Sequence, residues 1–170
     1  MLDRLGLPQV GRPCPPRPSH LERMKTEEAV RSRLRFDGLE YVTMPDGSGR
    51  VSVRLEWAGD SYEATVGCLG TQQGIIKAAS RAALQAAVQA SLSSASHLAA
   101  AGVNLDVGGV KAVRAFDGWV VVTRVHGSAG SETYQLLGAA PCEDEDDLPG
   151  AAVKAVLNAS NRVLGQRVAR

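Results

Sequence analysis

From Leu34 onward, apolar and polar positions alternate in short blocks separated by turn residues. LRFDGLEYVTM predicts a first strand, PDGSG carries turn chemistry, and VSVRLEW sets Val51, Val53, Leu55 and Trp57 against Ser52, Arg54 and Glu56. A two-residue period with one apolar face marks a half-buried strand. AGD supplies the next turn and SYEATV a third strand. GCLGTQQG then leads into IIKAASRAALQAAVQASLSSA, where the period lengthens to that of a helix and Ile76, Ala79, Ala83, Ala86 and Ala90 fall on one stripe.

The same order then repeats. VNLDVGGVKAVRAF reads as a strand, DG as a tight turn, and WVVVTRV as a strand with Trp119, Val121, Thr123 and Val125 on one face. SAGS turns the chain, ETYQLLGAA is a third strand, and DLPGAAVKAVLNASNRVL closes with a helix whose stripe is Val153, Val156, Leu157, Ser160 and Leu164. GLEYVTMPDG at 38–47 and GVKAVRAFDG at 109–118 share Gly, Val, Asp and Gly in the same slots, 71 residues apart. Gly67 and Gly138, also 71 apart, are read as the matching ends of the third strands, and Trp57 and Trp119 as occupants of comparable places.

The predicted fold is therefore α+β, two tandem βββα units over residues 34–102 and 103–170. Some 60 residues in three strands and a helix bury too little to stand comfortably alone. Two copies about a pseudo-twofold axis can complete one shared core and hide sheet edges.

Composition adjusts this picture in three ways. Aromatics are only 4% of the chain, so Ala and Val must do much of the packing. Residues 1–33 contain GRPCPPRPS, whose prolines remove amide donors, and are read as a disordered arm. Residues 1–35 carry eight basic and four acidic side chains, so the arm is positive and the body net negative. A negative body without clustered Lys and Arg argues against a nucleic-acid partner. No run reaches the roughly 18 apolar residues of a membrane span, and no apolar stretch follows a basic start. Cys14, Cys68 and Cys142 form no CxxC pair, which suits free thiols of a reducing compartment, and a cytoplasmic protein is expected.

Two tandem βββα units, each with a Gly-containing strand-to-helix loop before a helix of the form IIKAA, resemble the C-terminal regulatory domain of the 2-isopropylmalate and citramalate synthases. The resemblance covers residues 34–165, rests on TVGCLGTQQGIIKAA, and lacks any catalytic barrel. It implies a non-catalytic, homodimeric regulatory module that holds a small-molecule effector, such as an amino acid, between its units. GTQQGIIKAASRAALQA is also similar to the latter part of a double-stranded-RNA-binding domain. That family places a Lys pair at the helix start, where this chain has Gly74, Ile75 and Ile76 and leaves only Lys77.

The candidate chemistry is concentrated at the two strand-to-helix loops. In the first, Gly67-Cys-Leu-Gly70-Thr-Gln-Gln-Gly74, backbone amides at a helix start suit a carboxylate or phosphate. Gly67, Gly70, Thr71, Gln72 and Gln73 are the candidate ligand-binding residues, joined by Gly138 from the second unit. The competing reading makes the glycines turn formers and Thr71 an N-cap. The second loop carries five acids, Glu143 to Asp147, before Pro149, and reads as a solvated helix cap. If both loops face one cleft, only the first is suited to an anion.

Cys68, near a helix start, is the one candidate reactive thiol, with a buried inert cysteine as the alternative. His20, His97 and His126 are not spaced for metal, and no Walker, GxSxG or HExxH string is present, so neither cofactor nor metal nor catalytic residue is assigned. An adaptor that recruits a protein partner through its N-terminal arm is the second functional reading.

Overall fold

The computed structural model describes residues 33–57, 59–94, 103–129 and 131–164. The expected disordered arm over residues 1–33 lies, Arg33 apart, outside them. Strands β1 (Arg35–Thr43), β2 (Ser48–Trp57) and β3 (Asp60–Leu69) form one antiparallel meander, followed by helix α1 (Gln72–Ser94). Strands β4 (Val103–Ala115), β5 (Gly118–Ala129) and β6 (Glu132–Cys142) form a second of the same order, followed by helix α2 (Leu148–Leu164). The α+β fold with two βββα units is as expected.

The strand pattern explains which face is covered. Val51, Val53 and Leu55 are wholly buried, as are Val121, Thr123 and Val125 in β5, while Arg54, Glu56, Val122 and Arg124 point away. Each inward row packs beneath its own helix. Each helix also touches the other helix and the first strand of the other unit, α1 against β4 and α2 against β1. One cluster of buried side chains therefore runs through both units.

That placement accounts for the helices' composition. A helix covered by a sheet, a second helix and a foreign strand has little left to expose. Among the described side chains, α1 shows solvent chiefly along Lys77, Arg81, Gln85 and Gln89, spaced four residues apart. Ala79, Ala82, Ala83, Ala86, Ala87 and Ala90 are buried, and their small side chains let neighbours approach on several sides. Ser80, Ser91 and Ser160, also buried, satisfy their hydroxyls by donating to the carbonyl four residues earlier.

The units match closely at their first strands and less well beyond them. A bulge interrupts β1 between Phe36 and Gly38, and another interrupts β4 between Val107 and Gly109, in the same place relative to the repeated phrase. The hairpins after them differ. In the first, Met44 and Ser48 close a loop of Pro45, Asp46 and Gly47, with Gly47 at φ 80°. This is a three-residue hairpin of the kind that needs a left-handed glycine. The Asp46 carboxylate accepts from the Ser48 amide at 2.9 Å and hydroxyl at 2.6 Å, which holds its pKa below the usual range. In the second, Ala115 pairs directly with Gly118, so Phe116 and Asp117 form a two-residue loop.

This one-residue difference, together with a β5–β6 hairpin whose arms each run two residues further than those of β2–β3, overturns two expectations. Gly38 pairs with Arg54 and Gly109 with Arg124, so after the hairpin the units are no longer 71 apart. Gly67 lies opposite Arg50, whereas Gly138 lies opposite Thr123, the counterpart of Val53. Gly138 therefore sits in the middle of β6 and corresponds to Ala64, not to Gly67. The tryptophans are likewise not equivalent: Trp57 ends β2, and Trp119 lies at the start of β5.

Candidate functional site

Strand β3 runs two residues beyond Gly67, its expected end, and takes in Cys68 and Leu69, leaving only Gly70 and Thr71 as the link to α1. The linker is tight because the chain reverses against the β1–β2 hairpin. The Gly70 amide donates to the Gly47 carbonyl at 2.8 Å, and a Cβ at Gly70 would overlap the Thr43 methyl. Thr71 is the N-cap of α1: its Oγ1 accepts from the Gly74 amide at 3.1 Å, and its carbonyl from Ile75 at 2.9 Å. Gly74 is required by the same reversal, since a Cβ there would collide with the Leu69 carbonyl.

The two glutamines that open α1 reach across to the second unit. Gln72 Nε2 donates to Glu145 Oε2 at 3.4 Å, and Gln73 Nε2 to the Val110 carbonyl of β4 at 3.3 Å. Glu145 belongs to a single 3-10 turn, Glu145–Asp147, that precedes α2. The beginnings of both helices therefore meet, around a shallow cleft of about 230 Å³ lined by Tyr41, Gln72, Ile75, Glu145, Asp146 and Pro149. The polar groups in it come from both units: a helix N-terminus on one side, two carboxylates on the other.

Of the six candidate residues, Gly70, Thr71, Gln72 and Gln73 are gathered at this junction, and Gly67 and Gly138 are not. Gly67 is exposed in β3, where a Cβ would meet nothing closer than 3.9 Å. Gly138 is buried beneath α2, where a Cβ would overlap the Ala155 carbonyl and come within 2.7 Å of the Ala159 amide. Its role is to let the helix lie close on β6. Tyr41 escaped the sequence reading because it is a strand residue with no motif around it, and Glu145 and Asp146 were read only as a cap.

Elsewhere the named residues serve packing. Burial pushes the Cys68 thiol up, and burial followed by the Asp147 carboxylate pushes Cys142 up, the direction of inert rather than reactive cysteines. The His126 ring covers Gly108 at the β4 bulge, where a Cβ would coincide with it. Trp119 lies with the Arg114 guanidinium 6.0 Å from its ring centre. A larger groove of about 520 Å³ separates α1 from β4, lined by Val66, Leu84, Val88, Leu105 and Val107 with Arg81 and Asp106 at its rim. Among the described residues no group of His, Cys, Asp and Glu is arranged to hold a metal, and no helix is long and apolar enough to cross a membrane. The chain matches no protein-family model and no curated protein.

Proposed function

We propose that the protein is a non-catalytic regulatory module that dimerises and senses a small molecule bound between its two βββα units. The observation that carries this reading is the meeting of the two helix starts, with Gln72 and Glu145 3.4 Å apart across a cleft shared by both units. A ligand there touches both halves at once, so its binding favours one arrangement of the halves over others. That differential contact is what a sensor needs.

The charges of the cleft narrow the ligand. The start of α1 offers backbone amides and the positive end of a helix, which suit a carboxylate. Glu145 and Asp146 suit an ammonium. A small zwitterion such as an amino acid meets both requirements, and a dianionic organic acid meets only one. The raised thiols of Cys68 and Cys142 argue against a cysteine nucleophile at either position, since a nucleophile needs the opposite shift.

A thermal-denaturation screen of amino acids and organic acids tests the reading. A specific ligand at 100 times its dissociation constant stabilises the protein by about 2.7 kcal/mol. Loss of that shift in Glu145→Gln, together with no response to dicarboxylates, is the expected pattern. A flat response across the whole panel contradicts the sensing role.

A further inference from the structure

The second sheet carries an extension that the first lacks. In the first, the β2–β3 hairpin closes at Trp57 and Asp60, directly after the outward row Arg35–Glu56–Ser61. In the second, the equivalent row is Asp106–His126–Gln135, and the strands run on through a further outward row, Asn104–Ser128–Thr133. Gly127 stands where the first unit has the buried Trp57, and the ring of Tyr134 lies over it, since a Cβ at Gly127 would overlap that ring. Both rows, with Gly127 and Tyr134, line a cleft of about 340 Å³, a size within the range of small-molecule sites.

Polar side chains are ordinary on the outer face of such a sheet, and on the first sheet they satisfy one another. The Ser52 and Thr65 hydroxyls are 2.8 Å apart, and Arg54 lies 3.6 Å from Glu63 and 3.8 Å from Asp37. The six polar side chains of the cleft behave differently: among the described residues they make no hydrogen bond or ion pair, although His126 and Ser128 are half-buried. The Tyr134 hydroxyl in the same lining is buried, also with no partner among the described residues. Buried polar groups are nearly always paired, and those that are not call for an explanation.

The residue types select the ligand. Asn104, His126, Ser128, Thr133 and Gln135 can each donate and accept a hydrogen bond, and Asp106 accepts. A hydroxyl also donates and accepts, so a ligand with several hydroxyls can pair with every one of them. A phosphate or carboxylate offers acceptors only, meets the Asp106 carboxylate, and finds no lysine or arginine in the described lining. Arg124, two residues from His126, directs its Nη2 to the Gly108 carbonyl, 3.5 Å away. Neighbouring strands are about 4.8 Å apart and the two rows about 6.8 Å apart, so one sugar-sized ring with its hydroxyls spans both rows. We propose that this cleft binds a neutral polyol of monosaccharide size, held by the rows Asp106–His126–Gln135 and Asn104–Ser128–Thr133.

This cleft is separate from the one at the helix starts. Helix α2 begins beyond Cys142, at one end of β6, whereas Gln135 lies seven residues back along that strand, roughly 24 Å away. A polyol here is a second ligand, and its binding does not depend on the effector proposed above.

The test follows the imidazole Hε1 resonances of the full chain by proton NMR at pH 8 while glucose, galactose, mannose or myo-inositol is added. The chain has three histidines, and His126→Gln identifies the resonance of His126. That resonance should move and saturate with at least one of these polyols, while those of His20 and His97 stay in place. Asn104→Ala/Gln135→Ala should weaken the binding at least about tenfold, the loss expected of one or two hydrogen bonds, with unchanged circular dichroism. Asp106→Ala carries the same expectation should the double variant unfold. The proposal is overturned if no polyol moves the resonance at about 100 mM, well above a millimolar dissociation constant, or if the folded variant binds as well as wild type. A response to sodium phosphate or to an amino acid in place of the polyols overturns the ligand class.

Discussion

Phe116 is the one non-glycine with positive φ among the described residues, at 56°, and it is 98% exposed. A left-handed conformation costs a side-chain-bearing residue about 1–2 kcal/mol, and no burial offsets it here. Phe116→Gly should therefore raise stability in urea denaturation by about 1 kcal/mol. Thr123 presents a second local cost: it is wholly buried with no hydrogen-bond partner for its hydroxyl among the described residues. Its counterpart in the first unit is Val53, which fills the same inward position without a polar atom. Thr123→Val should stabilise by about 1 kcal/mol; a loss of stability would mean that the hydroxyl is satisfied. The thiols make a pH prediction. Cys68 and Cys142 have raised pKa values in the folded chain, so their stabilising effect is complete below the unfolded pKa of about 8.5 and is lost as pH rises through the folded values. The melting temperature should fall more steeply above pH 8.5 in wild type than in Cys68→Ala/Cys142→Ala.

Among the elements, the strand-to-helix junction and the β6–α2 contact use small residues for different ends. Thr71→Ala removes the N-cap of α1 and should cost about 1 kcal/mol, read as a lower urea midpoint. Gly138→Ala pushes a methyl into the α2 backbone and should cost about 1–3 kcal/mol, whereas Gly67→Ala, with open space at its Cβ position, should cost much less. This contrast shows how far the elements were legible in the sequence. Strands with a strict two-residue period, such as Val51 to Trp57, announce both themselves and their buried face, and the helix stripes through Ala83 and Val156 do the same. Equivalence between the units was legible only as far as the first hairpin. Pro45-Asp46-Gly47 and Phe116-Asp117 close loops of different length, and the β5–β6 arms each run two residues further than those of β2–β3, so every later partner is reassigned. The end of β3 was missed because Gly67-Cys68-Leu69 carries turn-like glycine while remaining extended. The cleft was half legible: capping chemistry reveals Thr71, but no local pattern brings Tyr41 and Glu145 to Gln72.

At the scale of the whole molecule, two units that each bury too little are joined into one core. Both helices are covered by a strand of the other unit, and Gln72 and Gln73 tie the first helix to the second unit. Separating the units would strip each alanine-rich helix of both the other helix and a foreign strand, so the halves should not unfold independently. Trp57 reports on the first unit and Trp119 on the second, which allows this to be read directly. The decisive measurement is urea denaturation of Trp57→Phe and Trp119→Phe, comparing fluorescence with far-ultraviolet circular dichroism within each variant. One shared core predicts a single transition with coincident midpoints for both probes in both variants. A fluorescence transition that separates from the circular dichroism in either variant, leaving one unit folded while the other melts, would contradict it.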